Sequence, residues 1–107
     1  MLDVSFIIPT CRNFNKYAKN TTDSILKSNF DFNFEIIICS KEPIKYCEVN
    51  WIEEPSSNNG SVLPINISFN ETKGKYVALL NDDFDISNNF ANVLEFLKKY
   101  SKNKLKV

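Results

Sequence analysis

The run Phe34-Glu35-Ile36-Ile37-Ile38-Cys39 is apolar at every position but one, with neither strand-like nor helical alternation. A strand of this kind is hydrophobic on both faces, as the middle of a parallel sheet requires. Two more short runs share its character. Val4-Ser5-Phe6-Ile7-Ile8-Pro9 is stopped by proline, and Tyr76-Val77-Ala78-Leu79-Leu80 ends abruptly in Asn81-Asp82-Asp83-Phe84-Asp85. Val49-Asn50-Trp51-Ile52-Glu53 reads as a weaker strand, and residues 40–48 before it as a loop or short helical turn.

Helical patterns fall between the strands. Tyr17, Thr21, Ser24, Ile25 and Leu26 follow helical spacing and end near Lys27-Ser28-Asn29. Residues 61–72 predict a second helix, with Pro64 in its first turn, Ile65, Ile67 and Phe69 as its apolar side, and Gly74 as its C-terminal stop. Residues 89–100 predict a third, with Phe90, Val93, Leu94, Phe96 and Leu97 inward, and residues 104–107 begin another strand that is cut short. Strands alternating with helices imply a Rossmann-like three-layer α/β/α domain with a mostly parallel sheet and right-handed crossovers. Residues 1–107 are expected to form one such domain, incomplete at its C-terminus.

Composition removes whole classes of chemistry. The chain has no histidine, so a Ser-His-Asp triad, a Cys-His pair and a His-ligated zinc are excluded. A metal would be held by carboxylates and water, which favours Mg or Mn. Thirteen basic and thirteen acidic residues balance to zero, which argues against nucleic acid as a partner. Cys11, Cys39 and Cys47 are odd in number and lack CxxC spacing, so reduced thiols in a cytoplasmic protein are expected. Cys39 reads as plain core and Cys11 as the loop thiol to examine for reactivity. No stretch approaches the roughly 18 apolar residues of a transmembrane helix, and no signal peptide is visible.

Ligands of open α/β sheets bind beyond the carboxyl ends of the strands. Three such ends carry polar residues: Thr10-Cys11-Arg12-Asn13, Ser40-Lys41-Glu42, and Asn81-Asp82-Asp83-Phe84-Asp85. Three carboxylates within four positions repel one another unless a cation or donor compensates. The acidic run is either a divalent-cation site or an Asx-rich turn capping the helix that begins near Asn89. Gly60 precedes a helix, where backbone N–H groups can meet a phosphate, but no dinucleotide or P-loop glycine pattern is present.

Together these segments resemble family 2 glycosyltransferases. Val4-Ser5-Phe6-Ile7-Ile8-Pro9-Thr10 is similar to that family's V-S-I-I-I-P-T opening strand. Phe34-Glu35-Ile36-Ile37-Ile38-Cys39 is similar to its second strand. Gly74-Lys75-Tyr76-Val77-Ala78-Leu79-Leu80-Asn81-Asp82-Asp83 is similar to its G-x-Y-[IV]-x-x-L-[ND]-x-D segment. The resemblance covers nearly the whole chain, in order and at the family's separations. It implies the GT-A fold and a donor-binding half that takes a UDP-, GDP- or dTDP-sugar for inverting transfer to a glycan, lipid or protein acceptor. Carried over by position, Pro9, Thr10 and Cys11 line the nucleotide site, Asp82 lies near the ribose or sugar, and Asp83 holds Mn or Mg on the diphosphate. Asn66 stands where the family often has an Asn.

The departures are specific. The family's acidic base-readers after the second strand are replaced by Ser40, able to make one hydrogen bond, and Lys41. Arg12 replaces the usual Asn and reads either as a phosphate contact or as a surface charge. The family's acceptor half and general base lie downstream of the Asp83 segment. The expectation is therefore a transferase, or alternatively a non-catalytic nucleotide-sugar-binding module or a fragment.

Overall fold

A computed structural model describes residues 2–10, 13–28, 30, 32–46, 48–55, 57, 60 and 62–80. The element order is β1 (Val4–Pro9), α1 (Ala18–Lys27), β2 (Phe34–Ser40), β3 (Asn50–Glu53), α2 (Val62–Asn70) and β4 (Tyr76–Leu79). The expected third helix and last strand lie outside the described residues. All pairings are parallel, and the strand order is β3-β2-β1-β4. The fold is α/β and Rossmann-like, as the alternation predicts.

β1 is central. Val4 to Pro9 align with Phe34 to Cys39 on one side, and Val4 to Ile7 align with Tyr76 to Leu79 on the other. Its two-residue period therefore feeds two cores. Val4, Phe6 and Ile8 join Ile36, Ile38, Tyr76 and Ala78 beneath Ala18 and Ile25 of α1. Phe6 adds ring contacts to Phe30 at 6.2 Å and Phe34 at 5.8 Å. The alternate residues, Ile7, Ile37, Cys39 and Val77, are equally buried, and α2 crosses over β1 and β2. Burial on both faces is what the unbroken apolar runs require.

α1 is entered through Asn13, whose side-chain oxygen accepts the Lys16 amide at 3.1 Å. Its buried row is Ala18, Thr21, Thr22 and Ile25. Thr22 satisfies its own hydroxyl by donating to the Ala18 carbonyl at 2.8 Å.

Two expectations need correction. The sheet-facing row of α2 is Pro64 and Ser68, while Ile65 and Ile67 are half-buried and Phe69 is 43% exposed. Residues spaced by two cannot share one face of a helix, whereas a spacing of four can. Gly74 is not the stop of α2, which closes at Asn70 with the Thr72 hydroxyl donating to the Phe69 carbonyl at 2.7 Å. Gly74 instead lies against β1. A Cβ there would sit 2.6 Å from both the Ser5 nitrogen and the Val4 carbonyl carbon. Only glycine permits that approach.

The Gly74 amide donates to Ser5 Oγ at 2.8 Å, and Ser5 Oγ donates to Glu35 at 2.5 Å. Glu35 also accepts the Lys73 amide at 2.7 Å. β1, β2 and the loop entering β4 are thus tied at the amino end of the sheet. Gly74→Ala is expected to destabilise the domain by about 3 kcal/mol, since backbone on both sides of the contact must shift. A thermal melt that matches the parent would show the approach is not tight.

Candidate functional site

The strand order fixes where a ligand can lie. The chain steps outward from β1 to β2 to β3, then returns through α2 to the far side of β1. The order reverses between β1 and β4, and open α/β sheets take their ligands in the crevice beyond such a switch point. Leu80 is held there, donating its amide to the Ile7 carbonyl at 2.9 Å. Thr10 donates its amide to the Cys39 carbonyl at 3.1 Å. The segments that leave β1 and β4 therefore start side by side.

Of the residues singled out from sequence, Pro9, Thr10 and Ser40 come together along this carboxyl edge. Thr10 is buried, and its hydroxyl donates to the Ile8 carbonyl at 3.2 Å. Ser40 is buried at the end of β2. Its hydroxyl donates to the Glu42 carbonyl at 2.6 Å and accepts the Trp51 indole N–H at 2.8 Å. With its proton committed, Ser40 can offer a ligand only a remaining lone pair. Asn66 is exposed on α2. Cys11 and Arg12, which follow Thr10, and Asp82 and Asp83, which follow Leu80, lie outside the described residues. Among the described residues no group of three His, Cys, Asp or Glu could hold a metal ion, and no helix is long and apolar enough to cross a membrane.

Sequence reasoning passed over two arrangements near this edge. Trp51 reads from its run as strand alone, yet a half-buried indole N–H needs an acceptor, and that need is the available signal. The second arrangement joins Tyr46, in the β2–β3 connection, to α1. The Tyr46 hydroxyl donates to Asp23 Oδ1, and Lys19 Nζ reaches Asp23 Oδ2 at 3.1 Å. Lys19 also stands 5.4 Å over the Tyr46 ring, whose edge meets Phe14 at 5.3 Å. Tyr46 holds the Asp23 carboxyl below its usual range, and Lys19 adds to this against burial. Asp23 in turn raises the Tyr46 phenol and the Lys19 ammonium.

Cys39 is core, as expected. Burial pushes its thiol up and the Glu54 carboxylate adds to this, while the buried Ser68 hydroxyl beside it pulls the other way.

The described fold resembles that of S. aureus TarS. A crystal structure of TarS 1-349 superposes with a TM-score of 0.76 at 18% identity, covering 92% of this chain and 33% of that one. Its complexes with UDP-GlcNAc and with UDP superpose with a TM-score of 0.75, again at 18% identity and 92% of this chain. The chain thus spans about a third of the TarS chain it matches. No protein-family model matches it, and no curated protein matches it in sequence. At this identity the likeness shows the fold, a Rossmann-like α/β layer of GT-A type.

Two outcomes follow from the titrating groups. In a Cys11→Ser, Cys47→Ser chain, Cys39 should stay unreactive to a disulfide reagent at neutral pH until denaturant is added, since it is both shielded and protonated. Rapid native labelling would contradict its burial. The Tyr46–Asp23 contribution to stability should be flat between about pH 5 and 9. Asp23 has a depressed folded pKa, so its share is complete above the ordinary 3.8 and fades as pH falls through the lowered value. Tyr46 is raised, so its share is complete below the ordinary 10.0 and fades as pH rises through the higher one. The difference in melting temperature between the parent and Tyr46→Phe, followed across pH, measures both limbs.

Proposed function

We propose that this chain is the donor-binding part of a glycosyltransferase, taking a nucleotide-diphosphate sugar at the carboxyl edge of its sheet for inverting transfer to an acceptor hydroxyl. The observation that carries the reading is the switch point between β1 and β4, from which the Thr10 segment and the acidic run both continue. The motif resemblance supports it. So does the likeness of the fold to TarS, whose solved complexes contain UDP-GlcNAc and UDP.

In this reading Pro9, Thr10 and Cys11 line the nucleotide site and Arg12 faces a phosphate. Ser40 accepts one hydrogen bond from the base, because its own proton goes to Glu42. Asn66 keeps the position the family resemblance gives it, one turn into α2. Asp82 meets the ribose or sugar, and Asp83 holds Mn or Mg. The donor set fits: carboxylate oxygens are hard ligands, and histidine is absent. When bound, such a cation neutralises diphosphate charge and eases departure of the nucleoside diphosphate. A free, buried Cys39 suits the cytoplasmic setting inferred from the cysteine count.

Calorimetry with UDP, GDP and dTDP, each with and without Mn, tests the assignment. One nucleotide should bind measurably only with metal. Asp83→Ala should weaken it by at least the roughly 10- to 100-fold that even outer-shell partners of a metal command. Equal binding by Asp83→Ala would remove the metal role. No binding by the parent chain would remove the donor reading.

A further inference from the structure

We propose that the β2–β3 connection is a nucleotide-positioning strap clamped to α1, and that Tyr46 and Asp23 are positioning residues for the nucleoside end of the donor. The inference rests on the donor-binding reading and adds to it the part of the chain that orders the ligand's wall.

Residues 41–49 carry the chain from the carboxyl end of β2 to the start of β3, and the described ones among them form no helix. Parallel strands ordinarily need a crossover of a dozen or more residues, usually helical. Nine suffice here because β3 is four residues long and pairs only with the last part of β2, from Ile37 to Ser40. Such a short strap has little structure of its own. Within it Val49 donates its amide to the Tyr46 carbonyl at 3.0 Å, and Ile44 and Val49 pack on the α1-side core.

Polar contacts then fix both of its ends. At the crevice, Ser40 grips Glu42 from one side and Trp51 from the other. Farther along, Tyr46 is fastened to Asp23, and Asp23 is held in turn by Lys19. The Tyr46 ring also meets Phe14, which belongs to the segment following β1. One side chain thus joins the connections that leave β1 and β2 to the helix between them. A ligand laid across the ends of these two strands meets a wall already in place, and its binding need not order nine residues of strap.

Removing only the Tyr46 hydroxyl separates positioning from packing, because the ring and the apolar contacts of the strap remain. Trp51 is the sole tryptophan, and its indole bond to Ser40 makes it a reporter of the strap's upper end. The experiment titrates UDP, with Mn present, into the parent, Tyr46→Phe, Asp23→Ala and Lys19→Met. It follows Trp51 emission and calorimetric heat, with circular dichroism as the check on folding.

Tyr46→Phe should keep the parent's spectrum, shift the ligand-free Trp51 emission to the red and raise the Kd for UDP about five- to tenfold, the scale of ordering one or two side chains on binding. Asp23→Ala, which removes the acceptor of the Tyr46 hydroxyl, should do the same. Lys19→Met leaves the Tyr46–Asp23 bond in place and should stay within about twofold, as for an exposed ion pair. A folded Tyr46→Phe chain that binds UDP with the parent's affinity overturns the positioning role and leaves the donor reading standing. A Tyr46→Phe chain that no longer folds overturns it in favour of a purely structural tie. A parent chain indifferent to UDP overturns the donor reading and the strap's role in it together.

Discussion

Gly74 lets the loop between α2 and β4 lie in contact with the β1 backbone, and the sheet's strand order depends on that approach. β4 must enter beside β1 on the side opposite β2. It does so with Lys75 donating its amide to the Leu2 carbonyl at 3.1 Å and Tyr76 to the Asp3 carbonyl at 2.8 Å. A side chain at position 74 would push β4 outward at its first residue. With β4 displaced, the order would no longer reverse beside β1, and the crevice at the opposite end of the strands would lose one wall. Ser5 strengthens the arrangement by placing a polar group inside β1, where it is fully buried and shared between Gly74 and Glu35. A buried hydroxyl is tolerable only with partners. Its need for them makes this β1–β2–β4 alignment preferable to a register slipped by one residue.

The strands were legible because a strand buried on both faces can hardly be anything but apolar and β-branched. β1, β2 and β4 fall where their runs fall, and Pro9 and Ser40 close them on the side where a ligand would lie. The second helix was legible in extent but not in orientation. Its apolar residues at 65, 67 and 69 suggested an inward side, yet Pro64 and Ser68 are the buried ones. Small side chains can face the sheet where a helix crosses close to it, so hydrophobicity alone misplaces the row. Gly74 shows a different limit. A glycine a few residues past a helix satisfies both a cap and a close approach, and the deciding neighbour, Ser5, is 69 residues away in sequence.

The site was partly legible for the same reason. Strand ends can be read from local pattern, so Thr10 and Ser40 were located before their contacts were known. Side-chain pairings between different elements follow no period. Tyr46 and Asp23 are 23 residues apart, and Trp51 and Ser40 are 11 apart. Nothing in the spacing of those residues marks them as partners until the fold has set their elements beside one another. The roles proposed for Cys11, Arg12, Asp82 and Asp83 rest on the motif resemblance and on their place in the sequence a few residues after β1 and β4.

The two ends of the sheet have different chemistry, and the difference follows from β1. At its amino end Ser5, Glu35 and the amides of Lys73 and Gly74 satisfy one another, an arrangement that resists change and leaves little to offer a ligand. At its carboxyl end the hydrogen bonds turn inward as well, from Thr10 to Ile8 and from Ser40 to Glu42, but the strands end there and the chain goes on to other elements. Strand direction alone produces this asymmetry. In a parallel sheet every crossover leaves from the same edge, so the loops that can vary without breaking the core collect there. Residues at this edge, such as Ser40 and Lys41, can therefore change while the Ser5–Glu35–Gly74 lock keeps the scaffold unaltered.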